Sequence, residues 1–343
     1  MRTINTALCA YGLSGKIFHA PFLDIHPGFQ IAGAWERSKK LVGQDYPQAK
    51  SYSSLQALLA DEEVELVVVN TPTYAHYDHA KAALKAGKHV VVEKAFTTTV
   101  AQAAELQQLA LKQGKKLSVY QNRRWDSDFQ TVKAIVQKGV LGDIIEAEFS
   151  FERYKPNLNS KQHLETPNSG AGILKDLGPH IIDQALYLFG MPDGVYADLR
   201  ITRKESQVED YFAAILYYEK LRVRLKASFL VREPAPAYIL HGTKGSFLKN
   251  RTDKQEEKLR TGMKPNTDDW YTEPESDYGL LHTERIEKIK SLRGSYLEYY
   301  DAMYKAIIKD YPVAVSAEDG VNVMRIIEAA IQSSKEQKLI KTD

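Results

Sequence analysis

Asp176-Leu-Gly-Pro-His180 opens a helical stretch and sets a carboxylate and an imidazole four residues apart. Residues at that spacing share one helix face, so both side chains can reach one small molecule, with Gly178 between them leaving room for a flat ring. Pro179 fits a helix only near its start, where the missing N–H removes no internal bond, and this predicts a single helix beginning near Gly172 or Ile173 and ending near Gly190. An acid favoured by the helix dipole and a histidine facing the core would explain the pair taken alone. Lys94 changes the balance: it follows the apolar run His89-Val-Val-Val-Glu93 and supplies a cation for a developing alkoxide, beside a histidine type suited to proton transfer. A reduced dinucleotide fingerprint accompanies them, and together they suggest hydride transfer.

That fingerprint reads Ala10-Tyr-Gly12-Leu-Ser-Gly15, a G-x-G-x-x-G pattern with alanine in the first glycine position. Gly12 still lets backbone approach a pyrophosphate, and Gly15 still permits close helix–strand packing. Glu36 closes the second strand at the expected distance; its carboxylate suits the ribose hydroxyls and repels a 2′-phosphate, which favours NAD. Arg37, followed by Ser38, Lys39 and Lys40, would cradle that phosphate and keeps NADP open. Thr71-Pro72 and Asn122 follow the third and fifth strands, at carboxyl ends where ligands bind in open α/β sheets. The dinucleotide candidates are therefore Gly12, Leu13, Ser14, Gly15, Glu36, Arg37, Thr71, Pro72, His76, Glu93, Lys94 and Asn122. Those for substrate are Lys94, Arg123, Tyr154, Asp176 and His180. His76 and His79 stand three apart and could join Glu93 on a metal, but no further strong ligand is evident and no metal is expected.

Positioning these groups requires alternating strands and helices. Strands are predicted at 4–10, 29–35, 64–70, 89–93 and 116–121, and helices at 16–25, 54–60, 76–86 and 101–113. The apolar runs imply strands buried on both faces, hence a doubly wound parallel sheet. From Arg123 onward the period changes: a helix at 128–138, then strands at 142–154, 195–203, 211–218, 222–230, 238–241 and 246–250, joined by short turns, predict an antiparallel sheet. The stretch 253–278, rich in charge, proline and glycine, reads as a long surface loop whose Trp270 and Tyr271 close over a pocket or pack the loop down; helices follow at 296–309 and 317–334. The expected organisation is a Rossmann domain over 1–122 and a substrate and oligomerisation domain over 123–343.

Composition agrees with this frame. A chain of 343 residues is too long for one ordinary core. Its 46 basic and 44 acidic residues nearly balance, which gives no reason to expect nucleic acid or an anionic membrane as partner. The single cysteine, Cys9, excludes an intrachain disulfide, no apolar run approaches bilayer length, and the N-terminus lacks a signal-peptide cleavage region, so cytoplasmic residence is expected.

Four segments, in this order, resemble the Gfo/Idh/MocA oxidoreductases nearly end to end. They are Tyr11-Gly-Leu-Ser-Gly-Lys-Ile-Phe-His-Ala-Pro-Phe22, Gly87-Lys-His-Val-Val-Val-Glu-Lys94, Gln121-Asn-Arg-Arg-Trp-Asp126 and Asp176-Leu-Gly-Pro-His180. Asn122 to Asp126 and His180-Ile-Ile-Asp-Gln184 are most similar to the branch of NADP-dependent scyllo-inositol dehydrogenases. The resemblance implies a Rossmann domain followed by an α/β domain with a large, mostly antiparallel sheet, which often serves as the interface of a homodimer or homotetramer. It implies reversible oxidation of a secondary alcohol of a cyclic polyol or sugar by NAD or NADP, with Lys94, Asp176 and His180 as the catalytic group. His180 would take the hydroxyl proton, Lys94 would stabilise the alkoxide, and Asp176 would hold the hydroxyl or orient the imidazole. Two departures stand out. The family's E-K-P is Glu93-Lys94-Ala95 here, which removes proline's φ constraint, and Glu36 stands where NADP-using relatives usually carry a small residue next to arginine. The alternative is a dinucleotide-binding sensor without turnover, for which Ala10 and Ala95 speak while the intact Lys94, Asp176 and His180 speak against it.

Overall fold

The computed structural model describes residues 2–36, 39–159, 165–167, 170–265, 270 and 273–342. The chain divides into two compact units, one of Met1–Asn122, Lys254–Trp270 and Ser295–Val321, the other of Arg123–Asp253, Tyr271–Gly294 and Asn322–Asp343.

The first unit is built on strands β1 (Ile4–Leu8), β2 (Phe29–Trp35), β3 (Lys50–Tyr52), β4 (Leu66–Val69), β5 (His89–Val92) and β6 (Leu117–Val119). They form one parallel sheet in the order β3-β2-β1-β4-β5-β6. Every residue of β4 is buried, as covered faces on both sides of a parallel sheet require. Between them run helices α1 (Ala20–Ile25), α2 (Val42–Asp45), α3 (Leu55–Ala60), α4 (His76–Lys85) and α5 (Val100–Gln113). Their ends follow local chemistry: Ser54 and Thr99 accept from Ala57 N and Gln102 N, and Gly114, at φ 61°, ends α5. The strand order reverses between β1 and β4, which makes the carboxyl ends of these two strands the switch point where such sheets bind ligands. The predicted helix at 16–25 begins instead with a π-type turn, Gly15–His19, and β3 was not foreseen because three residues carry no period.

The second unit contains α6 (Ser127–Gln137), β7 (Ile144–Glu152), α7 (Ile173–Asp176), α8 (Gly178–Phe189), β8 (Gly194–Arg200), β9 (Tyr211–Tyr217), β10 (Arg222–Ser228), β11 (Tyr238–Gly242) and β12 (Gly245–Lys249). After it the chain makes α9 (Gln255–Arg260), which counts with the first unit, then β13 (Gly279–His282) and β14 (Ile286–Ile289). Helix α10 (Leu297–Lys309) again belongs to the first unit, α11 (Ala317–Glu336) begins there, and β15 (Ile340–Lys341) closes the second. The sheet runs β14-β13-β12-β11-β7-β10-β9-β8-β15, antiparallel throughout except for the parallel pair of β7 and β10. In β10 Val223, Leu225 and Ala227 face the core, while Arg224 and Lys226 turn outward and pair with Glu146 and Glu152 on β7.

Two expectations are corrected. The single helix carrying Asp176 and His180 is two, α7 and α8, parted at Leu177, because Pro179 has no N–H and its ring excludes the carbonyl of a preceding turn. The stretch 253–278 is not all loop: α9 buries Gln255 and Leu259, and Trp270, 3% exposed, is a core side chain; Tyr271 lies outside the described residues. Gln255-Glu-Glu-Lys-Leu-Arg260 holds one apolar residue and so has no apolar period to show in sequence. Among the described residues no helix is long and apolar enough to cross a membrane.

Candidate active site

In the first unit the turn after β1 borders a cleft of about 680 Å³ lined by Ala10, Tyr11, Gly12, Trp35, Glu36, Lys39, Thr71, Pro72 and His79, among others. A Cβ on Gly12 would meet no protein atom within 4 Å, so backbone is open to a ligand there. A Cβ on Gly15 would lie 2.5 Å from Ala10 O, so this approach of turn to strand requires glycine. The alanine in the first glycine position is accommodated by a residue the sequence reading missed. Asn70, just past β4, accepts from Ala10 N at 2.9 Å and donates to Ala10 O at 2.8 Å, stapling the turn across the switch point. Its only signal in the sequence is an amide ending a wholly apolar strand. These features fit a dinucleotide: a turn with exposed backbone, a fixed carboxylate at the end of β2, and aromatic walls. Trp35 and His79 form one wall, their rings edge to face at 5.4 Å, with His79 Nδ1 3.1 Å from Thr71 Oγ1.

Glu36 is tied rather than loose. Its carboxylate accepts from Leu41 N at 2.7 Å, and from Val42 N and Ser51 Oγ at 3.2 Å each, while lining the cleft. Arg37 and Ser38 lie outside the described residues; Lys39 lines the cleft. Leu13, 44% exposed, borders a separate hollow beside Lys16 and Met263. Ser14 points the other way and donates to Glu93 Oε1 at 2.7 Å.

Glu93 and Lys94 follow β5. The Glu93 carboxylate also lies 3.0 Å from His19 Nε2 and accepts from Lys94 N at 3.2 Å. Burial pushes this carboxyl up, but His19, Ser14 and Lys94 outweigh it and hold it down at about 2. The Lys94–Ala95 peptide is cis. His76 is buried, with Nδ1 2.8 Å from Ala95 O and Nε2 2.7 Å from Thr71 O, so both ring nitrogens face carbonyl oxygens. Asn122 is buried and opens a 3₁₀ turn, Asn122–Trp125. Among the described residues no cluster of three or more His, Cys, Asp or Glu is arranged to hold a metal.

In the second unit Asp176 ends α7 and His180 lies in the first turn of α8, 6% exposed, its ring 6.1 Å from Phe151. The start of α7 is pinned at Gly172, φ 98°, where a Cβ would sit 2.0 Å from the Glu209 carboxylate, and Ile173 N donates to Glu209 O. Beneath α8 the Arg124 guanidinium grips Asp183 through two bonds of 2.7 Å, and Gln184 Nε2 donates to Arg123 O at 3.0 Å. Arg123 and Arg124 thus brace Asp183 and Gln184 and fix the helix that carries His180. Arg123 pairs with Asp126 at 3.2 Å and lies over the Phe151 ring, 5.1 Å from its centroid. Tyr154 is 44% exposed and its hydroxyl accepts from Arg232 at 2.8 Å.

Residues 4–121 match the family model described as the NAD-binding Rossmann fold of an oxidoreductase family, and residues 133–342 match its C-terminal alpha/beta domain. The scyllo-inositol 2-dehydrogenase (NADP(+)) IolW of Bacillus subtilis is 41% identical over 98% of this chain and 96% of its own length. A putative oxidoreductase, yvaA from Bacillus subtilis, superposes with a TM-score of 0.96 at 41% identity, covering 99% of this chain and 98% of that one. A putative oxidoreductase from Bacteroides fragilis gives a TM-score of 0.91 at 44% identity over 99% of this chain and 100% of that one.

Proposed function

The chain belongs to the Gfo/Idh/MocA oxidoreductase family and is an NAD(P)-dependent dehydrogenase, and on that premise we propose that it reversibly oxidises a ring secondary alcohol of an inositol-like polyol or sugar. The observation that carries this reading is the 41% identity to a scyllo-inositol 2-dehydrogenase over 98% of the chain. The side chains the chemistry needs are also present, each at the end of a braced element.

The bound nicotinamide supplies the hydride acceptor. Three side chains of this protein do the remaining work. His180 takes the proton of the alcohol, and the Arg124–Asp183 brace holds its helix in place. Lys94 stabilises the alkoxide as the hydride leaves. Asp176 holds the hydroxyl or orients the imidazole. NAD is the preferred coenzyme in this proposal, because a 2′-phosphate would meet the tethered carboxylate of Glu36. Arg123 and Tyr154 contact the polyol. The marks that would suit a sensor have structural compensation: Asn70 holds Ala10, and His76 holds Ala95.

The protein is further proposed to act in the cytoplasm as a homodimer or homotetramer through its antiparallel sheet, which light scattering tests directly. For the activity, the test is reduction of NAD and NADP, followed by nicotinamide absorbance, across inositol stereoisomers and common pyranoses. Turnover of a cyclic polyol supports the reading; dinucleotide binding with no reduction across the panel overturns it.

A further inference from the structure

Lys94 sits between two neighbours that are each gripped from outside their strand. On one side the Glu93 carboxylate lies 3.0 Å from His19 Nε2; on the other Ala95 O lies 2.8 Å from His76 Nδ1. Both histidines are buried, 0% and 1% exposed, and no step of the proposed reaction uses either. Burying an imidazole is costly unless its nitrogens find partners; both nitrogens of His19 do, and His76 lies between two carbonyl oxygens, to one of which its neutral ring donates. His19 Nδ1 lies 2.6 Å from Tyr300 Oη, its ring 4.4 Å from that of Tyr120, while His76 Nε2 lies 2.7 Å from Thr71 O.

We infer that His19 and His76 are positioning residues that clamp Glu93-Lys94-Ala95 from both sides and so set where the Lys94 ammonium is delivered. The inference rests on the reading of Lys94 as catalytic. A cation that stabilises developing charge must be held to about half an ångström, and a displacement of about 1 Å is worth roughly a hundredfold in rate. A proline at position 95 would fix φ covalently; alanine lacks that constraint, and the contact with His76 restrains the same residue through its carbonyl instead. Both devices restrain residue 95, so proline there is expected to offset the loss of His76, which gives a test that mere structural damage would not pass.

The variants are His76→Leu, alone and combined with Ala95→Pro or Lys94→Ala, and Tyr300→Phe, which deletes only the hydroxyl behind His19. In the protein without coenzyme, amide hydrogen exchange at residues 94–96 is expected to quicken about tenfold in His76→Leu while β1 and β4 keep their protection. In turnover, kcat falls about tenfold with KM for the dinucleotide within about threefold, Ala95→Pro restores most of the loss, and His76→Leu costs nothing further once Lys94 is alanine. Unchanged exchange and kcat overturn the clamp, as does a loss of dinucleotide affinity as large as the loss of kcat. If His76→Leu does not fold, Tyr300→Phe decides on the same two readouts. If Lys94→Ala retains full turnover, the catalytic reading of Lys94 falls, and exchange at residues 94–96 alone decides whether the clamp exists.

Discussion

Replacing Lys94 by alanine should lower kcat by roughly two orders of magnitude and leave dinucleotide binding nearly unchanged, because the ammonium acts on charge that develops only in the transition state. Steady-state kinetics with a separate binding titration checks both halves. His180 as base must be neutral, so alcohol oxidation should rise with pH, and His180→Asn should abolish that limb with most of the activity. Glu93 makes a prediction about stability. Its carboxyl is held at about 2, below the usual 4.5, so the stabilisation it gives is fully present above the ordinary carboxylate range and is lost as pH falls from about 4.5 toward 2. Glu93→Gln should flatten acid unfolding in that window; an identical acid limb would show the carboxylate to be uncoupled from folding. Glu36→Gln should raise kcat/KM for NADP about tenfold by removing the charge while keeping an acceptor for Leu41 N. If the unmutated protein already prefers NADP, the carboxylate does not face the ribose. At this scale the sequence disclosed residue types well and partnerships poorly. Lys94, Asp176 and His180 stand in recognisable motifs, whereas Asn70 with Ala10 and His76 with Ala95 are contacts between separate strand ends that no local pattern announces.

Between elements, apolar runs and alternation are readable in the sequence, and elements that carry neither are not. The wholly apolar β4 and the alternating β10 declared their sheets, while β3, β13 and β14 are three or four residues long and lack a pattern of their own. The break at Leu177 is not legible because Gly178-Pro179 fits equally near the start of one helix from Gly172 or Ile173 and at the start of a second, which it is. The brace under α8 tests its importance: Arg124→Met takes both guanidinium bonds from the buried Asp183 carboxylate and should cost about 3–5 kcal/mol in denaturant unfolding, whereas Arg124→Met with Asp183→Leu should recover much of it. Equal losses in single and double variants would mean the pair contributes only packing.

Across the whole molecule, both sheets and the change of architecture after Asn122 could be read from the chain, but not that the first unit is assembled from three separated segments. The reason is that Tyr299, Tyr300 and Tyr304 read as an ordinary amphipathic helix, and nothing local says that Phe22, Phe29 and Tyr120 are their neighbours. During synthesis this has a temporal consequence. The strands of the parallel sheet leave the ribosome first, yet the aromatic layer on that sheet stays open until α10 has emerged, after most of the other sheet has been made. A nascent chain halted before Ser295 therefore carries a nearly complete second sheet and all six strands of the first, and it is the early-born half that must wait, its Phe22, Phe29 and Tyr120 uncovered, for the late-born helix.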